Sequence, residues 1–290
     1  MKKFYRVTGT MVAGLTLAAS AAAFSAPYAA AQPTAHQAAT KPVTGTPVAA
    51  KPQPHPMIPA PMPGSVAAAS NSIAGITKLT SQNWAGYAVT RGKFRRIRAT
   101  FYVPIMNCKG APDSFSSHWV GLDGFKSNTV EQDGIEADCI GGKEQVFAWR
   151  EIFPRPEQPF TTLRIRPGDS ITATTTFTHG KFKMKVRDNT TGHSRTVSHR
   201  CARATCRRNS AEVISEAPTV NGSQASLAPY GAQAYSSISI RNARGKHGGI
   251  RSSHWRAFRI FQVGATSHSL IAAPTALHGP AFAVYWLNFI

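Results

Sequence analysis

Short segments in which apolar and polar residues alternate are the feature of this sequence that most limits its fold. Residues 182–187 alternate strictly between an apolar and a basic side chain. Similar strand-like runs occupy residues 94–103, 170–177, 258–263 and 281–290. A period of two places one face of a strand in a core and the other face in water. Because turn residues separate these runs and long helical periodicity is absent, the pattern predicts an all-β domain, either an antiparallel sandwich or a barrel.

The N-terminal part of the chain has a different composition. Residues 1–31 have a basic start, an apolar stretch and an Ala-rich end, which predicts a secretory signal peptide, with a retained membrane anchor as the alternative. Residues 32–75 are rich in Pro and Ala and lack acidic residues, which predicts a pro-segment or a linker. The strand-rich domain then covers residues 76–290, where no stretch is apolar enough to predict a spanning helix. We expect the mature protein to be secreted, either free or associated with a cell wall.

Four cysteines fit an oxidising compartment and allow three disulfide pairings. Cys201 and Cys206 close a short loop, so we predict that they pair, which leaves Cys108 with Cys139. The spacing differs from the paired CxxC motifs of zinc sites. We therefore predict neither a metal site nor a cofactor.

The chain is strongly basic, with a formal net charge of +20. This charge predicts attraction to anionic surfaces such as cell-wall polymers, membranes or nucleic acid, although solubility in acid explains it equally well. No zinc finger, basic zipper or RNA-binding motif indicates specific nucleic-acid recognition. Lys181, Lys183, Lys185 and Arg187 form a row in one predicted strand. We interpret this row as a solvated face that also discourages edge-to-edge pairing, with a binding stripe as the alternative.

The acidic residues are few and concentrated. Of the 13 aspartates and glutamates, nine fall within residues 123–151 and 212–216. The chain lacks HExxH, GxSxG, a Walker loop and the Asp-Thr-Gly triplet of aspartic proteases. A basic protein that gathers its acids in this way is expected to use some of them chemically, while Asp123 and Asp133 are also suited to turns.

Six short segments follow one another in a fixed order between residues 81 and 216. They are Ser81-Gln82-Asn83-Trp84-Ala85-Gly86-Tyr87, Trp119-Val120-Gly121-Leu122-Asp123-Gly124, the segment around Gln132, Trp149-Arg150-Glu151-Ile152-Phe153-Pro154, Arg166-Pro167-Gly168-Asp169-Ser170-Ile171 and Ala211-Glu212-Val213-Ile214-Ser215-Glu216. In this order they resemble the sequence blocks of the glutamic peptidases, also called eqolisins. The resemblance implies a jelly-roll or concanavalin-like β-sandwich of two curved antiparallel sheets. It also implies a monomeric secreted endopeptidase that is active in acid on proteins or peptides.

The resemblance assigns catalytic roles to two residues. Glu216 would act as general base on a water molecule and later as general acid, and Gln132 would stabilise the oxyanion. A carboxylate suits a base that works in acid, and an amide donor does not titrate. By analogy, substrate-binding residues would be Trp84, Trp119, Asp123, Trp149, Glu151 and Glu212. We also expect the positive field of the domain to lower the pKa values of these carboxyls.

Strand alternation adds a structural expectation for the last segment. Glu212, Ile214 and Glu216 should share one face of a strand, and Val213 should point into the core. Two other functions stay open. A carbohydrate-binding or glycan-cleaving sandwich could use Glu151 and Glu216 as a carboxylate pair. A non-catalytic protein that binds polyanions or the cell wall would rely on the basic charge alone.

Overall fold

The computed structural model describes residues 75–201, 206–265 and 267–289. The predicted signal peptide and all but the last residue of the predicted pro-segment or linker therefore lie outside the described residues. Within the described ranges the chain forms β-strands and no α-helix, which confirms the all-β prediction. In this part of the chain no helix has the length and hydropathy needed to cross a bilayer.

Eighteen strands are defined. The first nine are β1 (Ile76–Ser81), β2 (Trp84–Thr90), β3 (Phe94–Tyr102), β4 (Ser117–Asp123), β5 (Val130–Ile140), β6 (Lys143–Ile152), β7 (Gln158–Pro159), β8 (Ser170–Thr178) and β9 (Lys181–Asp188). The others are β10 (Ser194–Arg200), β11 (Ser210–Glu216), β12 (Thr219–Val220), β13 (Ser223–Gln224), β14 (Ala232–Asn242), β15 (His247–Gly248), β16 (Arg256–Val263), β17 (Leu270–Pro274) and β18 (Phe282–Trp286).

Sixteen of these strands form one hydrogen-bonded sheet that folds into the two layers of a sandwich. The back layer has the order β10-β9-β8-β3-β14-β18, and the front layer has the order β17-β16-β2-β11-β4-β5-β6-β7. Antiparallel pairing of β17 with β18 joins the layers at one side. β1 pairs with β16 in parallel, and β15 pairs with β14. The predicted sandwich is confirmed, with its two layers continuous rather than separate.

Alternation along each strand decides which side chains fill the space between the layers. In β9, Phe182, Met184 and Val186 are buried, while the basic residues between them face outward. In β11, Val213 belongs to this main core, and Ile214 belongs to a smaller apolar cluster on the other face of the front layer. Both placements agree with the period of two read from the sequence.

Both predicted disulfides are present. Cys108 joins Cys139 with a Cα–Cα distance of 5.3 Å, which ties the loop after β3 to β5. Cys201 joins Cys206 at 5.8 Å and closes the connection between β10 and β11. The first bond anchors the far end of the strand that carries Gln132.

One interpretation of the basic row on β9 is wrong. This strand is hydrogen-bonded to β8 on one side and to β10 on the other, so it is not an edge of the sheet. Cations protect a sheet against edge-to-edge pairing only where the edge is open. The row Lys181, Lys183, Lys185 and Arg187 therefore does not serve that purpose.

Candidate active site

Four neighbouring strands of the front layer bring the candidate residues to one face. In the order β11-β4-β5-β6, three cross-strand rows follow from the register. The first contains Glu212, Gly121, Gln132 and Glu151, the second contains Ile214, Trp119, Gly134 and Trp149, and the third contains Glu216, Ser117, Glu136 and Phe147. Directly paired residues point to the same side of a sheet. We call this side, which faces away from the back layer, the site face.

Glu216 ends β11 and accepts hydrogen bonds from two buried side chains of the site face. It is 5 % exposed. Asn83 Nδ2 donates to its Oε1 at 2.8 Å, and Trp119 Nε1 donates to its Oε2 at 2.8 Å. Burial raises the pKa of Glu216 to about 7, and these donors oppose the rise because they stabilise the ionised form. Asn83 is held in turn by a hydrogen bond from Ser81 Oγ to its Oδ1.

Gln132 lies on β5 opposite Glu151 on β6, and its Nε2 donates to Glu151 Oε2. Both residues are buried, and neither Gln132 Oε1 nor Glu151 Oε1 finds a partner among the described residues. Burial raises the pKa of Glu151 to about 8, the charge of Glu216 raises it as well, and the Gln132 amide lowers it. The structure thus orients the Gln132 amide through Glu151, and it places Glu216 close enough to interact with Glu151 electrostatically.

Indole rings and glycines shape the surface between these groups. Trp84 and Trp119 pack edge to face with ring centroids 5.1 Å apart. Gly134 separates Trp119 from Trp149 in the central row, and a Cβ at Gly134 would lie 2.7 Å from Trp119 Cβ. A Cβ at Gly121 would lie 2.9 Å from Trp119 Cζ3. Because such contacts are too short for real Cβ atoms, both positions require glycine for the observed Trp119 conformation.

Three further carboxyls extend the site face beyond Glu216. Ser117 Oγ donates to Glu136 Oε1, the backbone N–H of Ser116 donates to Asp138 Oδ1 at 3.1 Å, and Glu157 lies nearby in the loop before β7. Burial raises the pKa of Asp138 to about 7, and burial with neighbouring carboxylates raises those of Glu136 and Glu157 well above their ordinary range. Glu157 Oε2 has no partner among the described residues.

Two predicted substrate-binding residues lie at the opposite end of β11 from Glu216. Asp123 ends β4 and accepts hydrogen bonds from the backbone N–H groups of Arg208 at 2.6 Å and Asn209 at 2.8 Å. Glu212 is buried nearby, and burial raises its pKa well above the ordinary range, with the charges of Asp123 and Glu131 adding to the rise. The structure therefore places Asp123 and Glu212 away from Glu216, Trp119 and Trp84, while Glu212 shares its cross-strand row with Gln132 and Glu151.

The expected lowering of carboxyl pKa values by the basic charge is wrong for this face. Burial is the largest effect at Glu216, Glu151 and Glu212, and it raises the pKa of each. Removing an ionised carboxylate from water raises its free energy by more than the attraction of distant, screened cations lowers it.

His118 faces the other side of the layer beside Ser215. Burial lowers the pKa of His118 to about 3, so this imidazole is neutral above that pH.

Sequence reasoning missed part of the site. Glu136 and Asp138 were visible as members of the acidic stretch, but nothing in the chain predicted that Glu136 shares a cross-strand row with Glu216 or that Asp138 follows on the same face. Asn83 stands in the Asn-Trp segment that carries the family resemblance, so that segment was the signal for it. Glu157 had no signal, because a loop brings it to the site.

The β-sandwich and the six ordered segments both point to the glutamic peptidases. The chain belongs to the Peptidase A4 family, whose model matches residues 82–272. It is therefore a peptidase, and the recognition of the family from the ordered segments is confirmed.

Solved structures show the same fold. Scytalido-glutamic peptidase, in complex with a peptide-based transition-state analogue, is 22% identical with a TM-score of 0.59, covering 71% of this chain and 98% of its own. SCP-B, an eqolisin in complex with the tripeptide Ala-Ile-His, is 21% identical with a TM-score of 0.56 and the same coverage. Aspergilloglutamic peptidase from Aspergillus niger is 21% identical with a TM-score of 0.51, covering 60% of this chain and 99% of its own. No curated protein matches the sequence.

Proposed function

We propose that this peptidase is a secreted, acid-active endopeptidase that hydrolyses peptide bonds with Glu216 and Gln132. One observation carries the proposal. Glu216 is held by two hydrogen-bond donors, Asn83 and Trp119, on the same face of the sheet as the Gln132 amide. Water activation needs a fixed carboxylate and oxyanion stabilisation needs a fixed donor, and the site face carries one of each.

The reaction has two proton transfers. Ionised Glu216 takes a proton from a water molecule while the water oxygen attacks the scissile carbonyl carbon. The carbonyl oxygen becomes an oxyanion, and the second N–H of the Gln132 amide, the one not donated to Glu151, stabilises it. Glu216 then returns its proton to the leaving amine as the C–N bond breaks, which leaves Glu216 ionised for the next cycle.

The hydrogen-bond donors around the two buried glutamates support Glu216 as the base. Burial raises the pKa of both, but Glu216 accepts from Asn83 and Trp119, whereas Glu151 accepts from Gln132 and has its pKa raised further by the charge of Glu216. Where one carboxyl is favoured as the ion and its neighbour as the acid, the first supplies the base and the second stays protonated. Protonated Glu151 acts as a positioning residue that fixes the amide of Gln132.

Activity in acid is proposed from the resemblance to the glutamic peptidases, and it requires that Glu216 ionise below the pKa of about 7 that burial gives it. Activity should rise as Glu216 ionises. It should fall when Glu151, Glu136 and their neighbours lose protons, because several buried carboxylates then repel each other. The rising and falling limbs together give a bell-shaped pH profile.

Substrate contacts are proposed from the same face. Trp84 supplies apolar surface for the side chains of a bound peptide, and Trp119 and Trp149, which are fully buried, would support that surface from below. Glu212 lies at the far end of β11 from Glu216 but in the same cross-strand row as Gln132, so it would contact the peptide near the Gln132 amide. Asp123 would contribute to the cleft by holding the backbone before β11 in place. The complexes of scytalido-glutamic peptidase and SCP-B with peptidic ligands support a peptide substrate.

Export and maturation complete the proposal. Two disulfides fit an oxidising, extracellular compartment. The predicted signal peptide would direct export, and residues 32–75 would be removed in acid before Thr77. N-terminal sequencing of the secreted protein checks this step, and a fully active form that begins at Gln32 would contradict it.

Cleavage of an unfolded protein between pH 2 and 7 tests the catalytic roles. We expect Glu216→Ala to lose about 10³-fold or more in kcat, and Gln132→Ala to lose about 10²–10³-fold, while both stay folded. Glu131→Gln is the matched control, because Glu131 is buried on the opposite side of β5 and burial raises its pKa to about 9, so it is already neutral. Equal activity of all four proteins would show that the pair has no catalytic role.

A further inference from the structure

The outer face of the back layer carries a charge pattern that the proposed peptidase chemistry does not use. Its outward positions hold eight basic residues: Arg241 on β14, Arg96 and Arg98 on β3, Lys181, Lys183, Lys185 and Arg187 on β9, and Arg200 on β10. Strands β3, β8, β10 and β14 contain no acidic residue, and Asp188 of β9 is buried and accepts hydrogen bonds from Thr190 and Thr191. The cations therefore lack neutralising carboxylates on this face.

Strand order turns part of this face into a trough. β8 lies between β3 and β9, and its outward side chains are short threonines. Long basic side chains on β3 and β9 thus stand on both sides of a floor of hydroxyl groups. Neighbouring strands are about 4.8 Å apart, so the two basic rows are about 10 Å apart. The trough is lined by Arg96, Arg98, Thr172, Thr174, Thr176, Lys185 and Arg187.

The register repeats the same three kinds of group along the trough. One cross-strand row contains Arg98, Thr174 and Lys185, and the next contains Arg96, Thr176 and Lys183. Successive outward residues of a strand are about 6.8 Å apart, so the rows recur at that interval. Arg98 Nε is buried and makes no hydrogen bond within the described chain. A guanidinium with an unused donor is suited to an oxyanion in the trough.

We propose that the trough binds a linear phosphodiester polymer of polyol or sugar units that carries no aromatic bases. Repeated pairs of cations across a hydroxyl floor match a single chain with an anion in each repeat, rather than the plane of a bilayer. Proteins that hold single-stranded nucleic acid present aromatic platforms for the bases. The outward positions of β3, β8, β9 and β10 carry one aromatic residue, Tyr102, at the end of β3.

The choice of phosphodiester over carboxylate rests on the proposed function in acid. Arginine, lysine and a phosphodiester all keep their charge at acidic pH, whereas the carboxylates of a polyuronate take up protons. The trough and the site face lie on opposite sides of the sandwich. A polymer in the trough would therefore hold the peptidase on an anionic surface and leave its catalytic face open to substrate.

Binding of the mature protein to poly(glycerol phosphate), measured at pH 4 and pH 7 without peptide, tests this proposal. With about four phosphates contacted, affinity should fall roughly 50-fold between 50 and 200 mM salt. The double variant Arg98→Glu/Lys185→Glu should bind at least about tenfold more weakly. The matched control Lys109→Glu/Lys143→Glu changes the net charge equally at exposed positions in the loop after β3 and at the start of β6, and should lose less than about threefold. Both variants should cleave a soluble peptide as the wild type does.

Three outcomes would overturn the assignment. Equal losses in the two double variants would show that net charge, not the trough, holds the polymer. Binding of oligo-dT, polygalacturonate or anionic lipid vesicles as strong as that of poly(glycerol phosphate) would reject the base-free phosphodiester. An active peptidase that does not bind the polymer would reject this proposal alone, whereas a binding protein without peptidase activity would reject only the proposed function.

Discussion

The two outer faces of this sandwich belong to one continuous sheet, yet the front face buries carboxyl groups and the back face exposes cations. The front layer buries carboxyls, with Glu136 and Asp138 at 3% and 1% exposure. The back layer exposes ammonium and guanidinium groups, such as Lys183 on β9. An exposed cation keeps its hydration and its ordinary chemistry, whereas a buried carboxyl gives up hydration and holds its proton more tightly. The buried carboxyls of the front face therefore link folding and catalysis to pH.

The largest expected effect is a loss of stability as pH rises. Unfolded carboxyls ionise near pH 4, whereas Glu216, Asp138 and Asp133 hold their protons to about pH 7 and Glu151 to about pH 8. Between these values the folded state binds more protons than the unfolded state, so the free energy of unfolding must fall with rising pH. Each such group contributes on the order of 1 kcal/mol per pH unit where its protonation differs between the folded and unfolded states. The free energy of unfolding should be highest below about pH 4 and should decline as the pH rises to 7–8.

Urea unfolding at one-unit intervals from pH 4 to pH 8 measures this dependence. Glu136→Gln should make the decline shallower, because it removes one carboxyl whose pKa is raised by burial. The trough variant Arg98→Glu/Lys185→Glu should keep the slope of the wild type over this range. A stability that is flat between pH 4 and 8 in the wild type would remove the distinction between the two faces.

An intermediate effect is expected from Asn83, which sharpens the assignment of Glu216. Asn83→Ala removes a donor that stabilises ionised Glu216, so the pKa of Glu216 should rise by about one unit. The acid limb of the kcat profile should move to higher pH by the same amount, and the alkaline limb should stay in place. Asn83→Asp is unsuitable because it adds a charge. A uniform drop in kcat without a shift would mean that Asn83 only maintains the local structure.

Sequence patterns predicted those features of the fold and the site that depend on residues close together in the chain. Alternation placed Val213 in the core and Glu216 on the other face, and a short loop predicted the pairing of Cys201 with Cys206. The six ordered segments identified the family, because each is a short run of consecutive residues that can be recognised without knowing the fold. Burial was harder to foresee, since the net charge of the chain suggested lowered carboxyl pKa values and the packing of the front layer raised them.

Strand order was also beyond the reach of local patterns. Nothing near β9 predicts that β10 pairs with it, so its basic row resembled the protection of an edge. Likewise, Glu157 reaches the site from a loop whose path depends on tertiary contacts. Contacts between residues distant in sequence decide both features, and one sequence holds no local signal for either.

The smallest expected effect is that of a single neutral substitution on the back layer. Lys183→Gln removes one exposed charge from β9 and keeps most of the side-chain length. The melting temperature at pH 4 should stay within about 2 °C of the wild type, because surface substitutions away from special contacts change stability little. The kcat profile should also be unchanged, since the substitution lies on the opposite side of the sandwich from Glu216. A shift of either limb of that profile would show that the back-layer cations tune the buried carboxyls across the core, and the two faces would then have to be treated as one electrostatic system.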